Sequence, residues 1–469
     1  MLPPHPQQPT SSRSTSWLHS IPVDLSILCG ITLLGTFLRW FGVNHGNTYH
    51  PDERHMIMVT GQLEDNGMNP KSFAYGSFSF YALWIFARLG WAVWSLTGRE
   101  AGLLYGFPDP TGYDGLLRMG RILCLLMGVI SIPLIYLLAV KIYKNSIVGL
   151  IAATLLAVNV FHIQLSRFFT SDITLSTLCL VSIIALVSLF QSGSLLAYIT
   201  LGLFLGLSTA TKISSVFLAS PLLITVLLVL LRDYSWIGTA KRLVLAVVTA
   251  GVIGTIAFWS YSSLIGGSGI VVNGISLSSQ AIAIAASGPL LLLTAIPLFM
   301  ISPHLGKTAL ALSIAGFVFT LAEPFAVLDF NTFLAHTNEQ TSMVQGKWRP
   351  PYTIQYEATT PYLYHLKQML WYTMGVPVFL LVTLGVIASA SRSVTQTITA
   401  LMHTSKISGS QLSELIPLIF VVVFFVATAG FQVKFPRYLM PTYPLLFMFA
   451  ASLYLYTSRS ASSPKRGHK

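Results

Sequence analysis

Uncharged apolar runs of roughly 18–25 residues recur along the whole chain, separated by short polar connections, and about 20 such residues suffice for one bilayer crossing. Runs such as Leu245 to Phe258 and Ile416 to Phe431 are apolar on every face, which excludes the alternating strands of a membrane β-barrel. The pattern predicts an all-α polytopic membrane protein with spans at 24–42, 118–140, 146–162, 173–190, 195–211, 214–231, 242–262, 285–301, 308–323, 372–390, 413–430 and 438–456. One further stretch, Ser77 to Leu96, carries Arg88 among Tyr81, Trp84, Trp91 and Trp94, a composition that suits an interfacial helix as well as a span.

The basic connections separate these two readings. With 77–96 in the interface, the N-terminal tail, Lys141 to Asn145, the Arg232 to Arg242 loop, the His304 to Lys307 turn, the Arg392 to Lys406 loop and the Arg459 to Lys469 tail share the cytoplasmic side. Only Asp24, Asp233 and Glu414 of the 15 acidic residues join them, so that side is strongly positive and the outer side nearly balanced. Residues 1–23 then form a disordered cytoplasmic tail, 24–457 the membrane domain and 458–469 a basic cytoplasmic tail. The first run, Leu25 to Phe41, has no small-residue cleavage pattern after it and is read as a retained signal anchor.

Composition narrows the function classes. With 54% apolar and 9% charged residues and a mean hydropathy of +0.70, a soluble protein is excluded. The net charge of +12 comes from scattered residues and forms no continuous patch, so nucleic acid is not an expected partner. Cys29, Cys124 and Cys179 lie within apolar runs without CxxC or His-rich neighbours and are read as core thiols. A Gly-rich phosphate loop is missing from the sequence, which argues against a nucleotide-sugar donor.

In this threading the loop Asn44 to Leu117, the turn Ser166 to Thr174, the loop Glu323 to Lys367 and the turn Gln432 to Arg437 meet on the outer face; a spanning 77–96 would put Asp172 across the membrane from Asp52. Tyr49-His50-Pro51-Asp52-Glu53-Arg54-His55 is the most charged stretch of the chain. Pro51 suits a helix start and Asn66-Gly67 its end, predicting a helix over Asp52 to Asp65 that lies on the membrane with Met56, Val59 and Leu63 on its apolar face. Asp52 and Glu53 stand at its N-terminus, where the helix dipole favours ionised carboxylates, and point about 100° apart, so they serve different roles. Capping is one account of the pair; an ionised Asp near the hydrocarbon boundary is also available as a general base for a hydroxyl nucleophile.

Asp52-Glu53 just after the first span, followed by Gly67-Met68-Asn69-Pro70, Phe73, Tyr75 and Tyr81, resembles the first outer loop of the protein O-mannosyltransferase-like family of dolichyl-phosphate-mannose-dependent enzymes. That family includes the aminoarabinose transferases of lipid A and many prokaryotic lipid-carrier-dependent glycosyltransferases. Where it usually has Tyr-Pro, this chain has Tyr75-Gly76. The resemblance extends over nearly the whole length. Ser166-Arg167 with Ser171-Asp172 is similar to its second acidic position, and Thr211-Lys212 to its Thr-Lys at a span end. Glu323-Pro324-Phe325 with Asp329 resembles its Ser-Pro-Tyr segment with a following Asp, and Lys434-Phe435-Pro436-Arg437-Tyr438 with Pro441 and Pro444 resembles its late Lys-x-x-Arg-Tyr signature.

The resemblance implies a GT-C fold of about 12 transmembrane helices plus juxtamembrane helices in the first outer loop. It also implies an inverting transfer of mannose or a similar sugar from a polyprenyl-phosphate carrier to a hydroxyl of a protein, lipid or glycan on the outer face; the few cysteines fit a prokaryotic plasma membrane better than the endoplasmic reticulum. Asp52 would be the base, with Glu53 and Asp172 positioning the acceptor or holding a cation. Lys71, Arg88, Lys212, Lys434 and Arg437 are the candidate partners of the donor phosphate, and His50, Tyr75, Glu323, Asp329 and Tyr438 of the acceptor. No cofactor is required, although Asp52 and Asp172 could hold Mg²⁺ or Mn²⁺. The outer loop 323–371, rich in Tyr, Thr, Gln and Pro, suits either substrate recognition or an ordered cap. A flippase or transporter of lipid-linked sugars and an oligosaccharide ligase or polymerase with a diphosphate donor are the alternatives, the former requiring charged or broken helices at mid-bilayer.

Overall fold

A computed structural model describes residues 16–43, 50–96, 107–265, 270–272, 275–277, 279–402 and 412–456. Eight helices among them are long and apolar enough to cross a membrane: Val23–Trp40, Tyr113–Tyr143, Ser171–Ser192, Ile213–Asp233, Trp236–Ala257, Pro303–Ala322, Val376–Thr399 and Pro436–Tyr456. Four shorter apolar helices, Ser146–Val158, Leu195–Thr211, Gly288–Ile301 and Leu415–Ala429, match the remaining expected spans. The protein is therefore a multi-pass helical membrane protein. The Phe78–Leu96 stretch is a helix but is not among those eight.

Ser171–Ser192 forms the centre of the bundle and is buried over most of its length. Leu195–Thr211 packs on it and against Pro303–Ala322. Gly202 and Gly206 make the second contact possible: a Cβ on either would come within 2.5 Å and 2.6 Å of the Ala311 and Ala315 carbonyls. Trp236–Ala257 lies at the edge with none of its apolar window buried.

The structure departs from the sequence reading in three places. The first helix begins at Ser16, inside the stretch expected to be a disordered tail; residues 1–15 and 457–469 lie outside the described residues. Ile270–Val272 and Ile275–Leu277 pair as a short antiparallel hairpin, a small exception to the all-α expectation. The helix expected over Asp52 to Asp65 covers Pro51–Gly61 and continues as turns to Met68, where Gly67 and Met68 both adopt positive φ. Met56, Val59 and Leu63 are buried as expected, but against the Phe78–Leu96 and Tyr113–Tyr143 helices.

Several apolar helices end in irregular turns rather than running straight. Asn159 ends Ser146–Val158 and caps Val160–Leu165, its side chain accepting the His162 N–H. Ile213–Leu218 and Pro436–Thr442 are 3₁₀ turns, and Pro436 and Pro441 account for the second because each removes a backbone donor. These two turns carry Lys212, Arg437 and Tyr438.

Candidate functional site

The first turn of Pro51–Gly61 places Asp52 and Glu53 in different surroundings. His50 caps the helix, its Nδ1 accepting the Asp52 N–H at 3.2 Å. The Asp52 carboxylate meets Arg437, with Oδ2 at 2.6 Å from Nη2. Arg437 also approaches Asp172, Nε to Oδ2 at 3.4 Å, and its Nη1 lies 3.2 Å from His50 Nε2. Lys212 completes the row, Nζ donating to Asp172 Oδ1 at 2.8 Å while its ammonium lies 4.7 Å from the Tyr438 ring centre. Asp52, Arg437, Asp172 and Lys212 thus form one alternating chain of charge, assembled from four separate segments.

Glu53 is fully buried and faces away from that chain. Arg121 grips it with two bonds, Nε to Oε1 at 2.8 Å and Nη2 to Oε2 at 2.9 Å, and the Phe169 N–H donates to Oε1 at 3.0 Å. Arg121 Nη1 also reaches the Val43 carbonyl at 3.2 Å. Glu53 thereby joins the first outer loop to Arg121 of the Tyr113–Tyr143 helix and to the backbone at Phe169. The sequence reading missed Arg121, although an arginine inside the expected span 118–140 was its signal.

The remaining expected residues scatter. Tyr75 lies near Asp52, and its hydroxyl is raised well above the usual phenol range by burial and by the neighbouring carboxylate. Glu323 is buried and accepts from the Ser77 N–H and, at 2.5 Å, from Ser77 Oγ; burial pushes its carboxyl up to about 7, against those hydrogen bonds. Asp329 accepts from Asn69 Nδ2 at 2.9 Å and Thr332 Oγ1 at 2.7 Å. These bonds outweigh its burial and hold it below the usual carboxylate range. Lys71 is exposed, 3.8 Å from Asp329, and Arg88 is exposed on Glu64 and the Trp84 ring. Lys434 is buried and donates to the Gln432 carbonyl at 3.0 Å. Of the five expected phosphate partners, Lys212 and Arg437 are the two paired with Asp52 and Asp172.

The loop Asn69 to Ser77 is fixed at three points to the segment after Pro303–Ala322: Asn69 on Asp329, the Phe73 N–H on His336 Nδ1 at 3.1 Å, and Ser77 on Glu323. The Gly76 N–H donates to the Thr211 carbonyl at 3.1 Å, and a Cβ at position 76 would collide with the Ala210 carbonyl. That close approach explains the glycine after Tyr75. In the outer loop after Pro303–Ala322, the buried Tyr356 packs edge-on against both Phe435 and Tyr364.

Lys212, Tyr75 and Tyr438 line a largely apolar cavity of about 350 Å³, closed elsewhere by Phe217, Phe319 and Phe431. The site therefore combines a cationic and carboxylate end with a greasy interior. Among the described residues no group of three His, Cys, Asp or Glu side chains comes together as a metal-ligand set. Arg437 occupies the ground between Asp52 and Asp172 where a divalent ion would sit, so the pair does not fit a metal in this arrangement.

Residues 116–261 match the family model of dolichyl-phosphate-mannose-protein mannosyltransferases, about a third of the chain. Among curated proteins there is no significant match. The oligosaccharyltransferase AglB of Archaeoglobus fulgidus, in complex with an inhibitory peptide and a dolichol-phosphate, aligns with a TM-score of 0.51 at 13% identity, covering 95% of this chain and 52% of that one. The apo form of the Archaeoglobus fulgidus enzyme gives 0.48 at 14% identity, covering 98% and 53%. The chain spans about half the length of the solved structures it matches. The first likeness shows the fold, which is GT-C.

Proposed function

We propose that this chain, a GT-C protein with a match to the dolichyl-phosphate-mannose-protein mannosyltransferase family over residues 116–261, is a membrane glycosyltransferase moving a sugar from a polyprenyl-phosphate carrier to a hydroxyl acceptor. The observation that carries this reading is the charge chain Asp52–Arg437–Asp172–Lys212 beside an apolar cavity. Such a site matches the two halves of a lipid-linked sugar phosphate, a greasy chain and an anion.

In this reading Asp52 takes the proton of the acceptor hydroxyl, whose oxygen attacks the anomeric carbon from the side opposite the phosphate. The anomeric C–O bond to the phosphate breaks, and Lys212 and Arg437 stabilise the departing polyprenyl phosphate. Before the donor arrives, Arg437 holds Asp52 at 2.6 Å. A donor phosphate competes for that guanidinium, and Asp52 is left free to act as a base. Base activation is thereby tied to donor binding. Glu53 serves as a positioning residue through Arg121 rather than touching substrate. The two cations in the cluster suit a monophosphate better than the diphosphate of a ligase or polymerase.

The acceptor enters from the extracytoplasmic side of a prokaryotic plasma membrane, consistent with the basic connections on the other side. Membranes containing the chain or its Asp52→Asn variant, given radiolabelled polyprenyl-phosphate-mannose, test the proposal. Label should enter one of the protein, lipid or glycan fractions with the first and not with the second. Equal labelling by both would remove Asp52 as the base.

A further inference from the structure

His50 touches both Asp52 and Arg437 yet has no part in the transfer step described above. Its Nδ1 accepts the Asp52 N–H at 3.2 Å and lies 4.0 Å from Asp52 Oδ1, beyond a hydrogen bond. The Phe168 ring stands 5.7 Å from the imidazole, centre to centre, and the side chain stays 20% exposed, so a ligand can reach it. Burial draws the imidazole below its usual titration range, against the pull of Asp52 and with the help of the Arg437 guanidinium. The ring is therefore neutral at physiological pH, and with Nδ1 committed as an acceptor its single proton lies on Nε2.

That Nε2–H faces Arg437 Nη1 at 3.2 Å, and no oxygen of the described residues accepts from it. Two donors at this distance repel. The nearby carboxylates meet the guanidinium at its other nitrogens, Asp52 Oδ2 at 2.6 Å from Nη2 and Asp172 Oδ2 at 3.4 Å from Nε. An oxygen with several lone pairs, set against both N–H groups, turns the repulsion into two hydrogen bonds, and a phosphate oxygen is such an acceptor.

We propose that His50 is a ligand of the donor phosphate, its Nε2–H and the Arg437 Nη1–H closing on the phosphate, rather than a contact of the acceptor as the sequence suggested. The inference rests on the donor reading above. The helix cap at Nδ1 is what fixes the tautomer, so one imidazole holds the start of the Asp52 helix with one nitrogen and the anion with the other. Binding the phosphate there also relieves the facing of two donors, which favours Arg437 on the donor over Arg437 on Asp52.

Two substitutions separate the two nitrogens. His50→Asn puts an oxygen where Nδ1 stands and keeps the cap but has nothing at Nε2; His50→Gln puts an amide N–H near Nε2 and gives up the cap. Binding of polyprenyl-phosphate-mannose and of bare polyprenyl phosphate to the full chain in nanodiscs, with melting temperatures of the same samples, is the measurement. His50→Asn should melt like the wild type and bind both carriers about tenfold more weakly, by the same factor, since the lost bond is to the phosphate they share. His50→Gln should melt lower and keep most of the affinity. The reverse order of affinities, with Gln weak and Asn normal, would show that His50 is a cap only and overturns the inference. Unchanged affinity in His50→Asn, or a loss confined to the mannosyl carrier, overturns it as well and leaves the donor reading standing. Wild-type protein that binds neither carrier overturns both.

Discussion

Asp52 and Glu53 are chain neighbours with opposite fates, one at the head of a partly exposed charge chain and the other sealed against Arg121. Their chemistry separates in two measurements. Asp52→Asn should fold normally and lose transfer by about 10²–10⁴-fold, the usual contribution of a positioned base. Glu53→Gln should instead lower stability by about 3–5 kcal/mol, because the buried Arg121 guanidinium loses its carboxylate counter-charge. Denaturation in detergent reads this loss, and adding Arg121→Met should restore part of it; a Glu53→Gln variant as stable as the wild type would contradict the assigned role. At this scale the motifs Asp52-Glu53, Ser171-Asp172, Thr211-Lys212 and Lys434 to Tyr438 identified the members of the charge chain. They did not reveal that Glu53 turns inward, since its partner lies 68 positions away. Lys71 and Arg88 also carried charge in the right loop, and only three-dimensional placement shows that they serve Asp329 and Glu64.

Elements are held in place here by short polar fasteners as much as by apolar faces. Phe73 on His336 and Gly76 on Thr211 fix the backbone on either side of Tyr75, which neighbours Asp52. Glu323 titrates at about 7 in the fold against an ordinary value of 4.5. A raised acid favours the folded state fully below the lower value, and its contribution is lost as pH rises through the upper one. Melting temperatures of wild type and Glu323→Gln should therefore diverge between about pH 4.5 and 7, the wild type losing ground, because the amide does not titrate. Parallel curves would show that Glu323 has no such burial cost. Gly76→Ala should weaken transfer by pushing Tyr75 off Asp52, read as a fall in turnover with the fold retained. The helices themselves were legible from hydropathy, whereas the 3₁₀ turns that carry Lys212 and Arg437 were not. Hydropathy reports length and face, and a turn of that kind is set by proline placement and local packing.

Across the whole molecule, the twelve expected spans reappear as eight long and four shorter apolar helices, because bilayer thickness imposes a length that survives in sequence. What the sequence could not reveal is the docking of Asn69 to Ser77 on the 323–336 segment, some 250 positions away, since those contacts are single polar bonds without periodicity. Small residues set the bundle's spacing as well. Gly202→Leu or Gly206→Leu should destabilise the protein by about 1–3 kcal/mol or more through overpacking against Pro303–Ala322, measurable as a lower melting temperature in detergent. The central claim is that the Asp52–Arg437–Asp172–Lys212 row performs sugar transfer from a polyprenyl phosphate. Single-turnover transfer by purified protein in proteoliposomes, with donor binding measured on the same samples, tests it most directly. The account predicts that Asp52→Asn binds polyprenyl-phosphate-mannose as tightly as the wild type yet transfers nothing, while Arg437→Met loses donor binding. Transfer by Asp52→Asn at the wild-type rate, or undiminished donor binding by Arg437→Met, would contradict it.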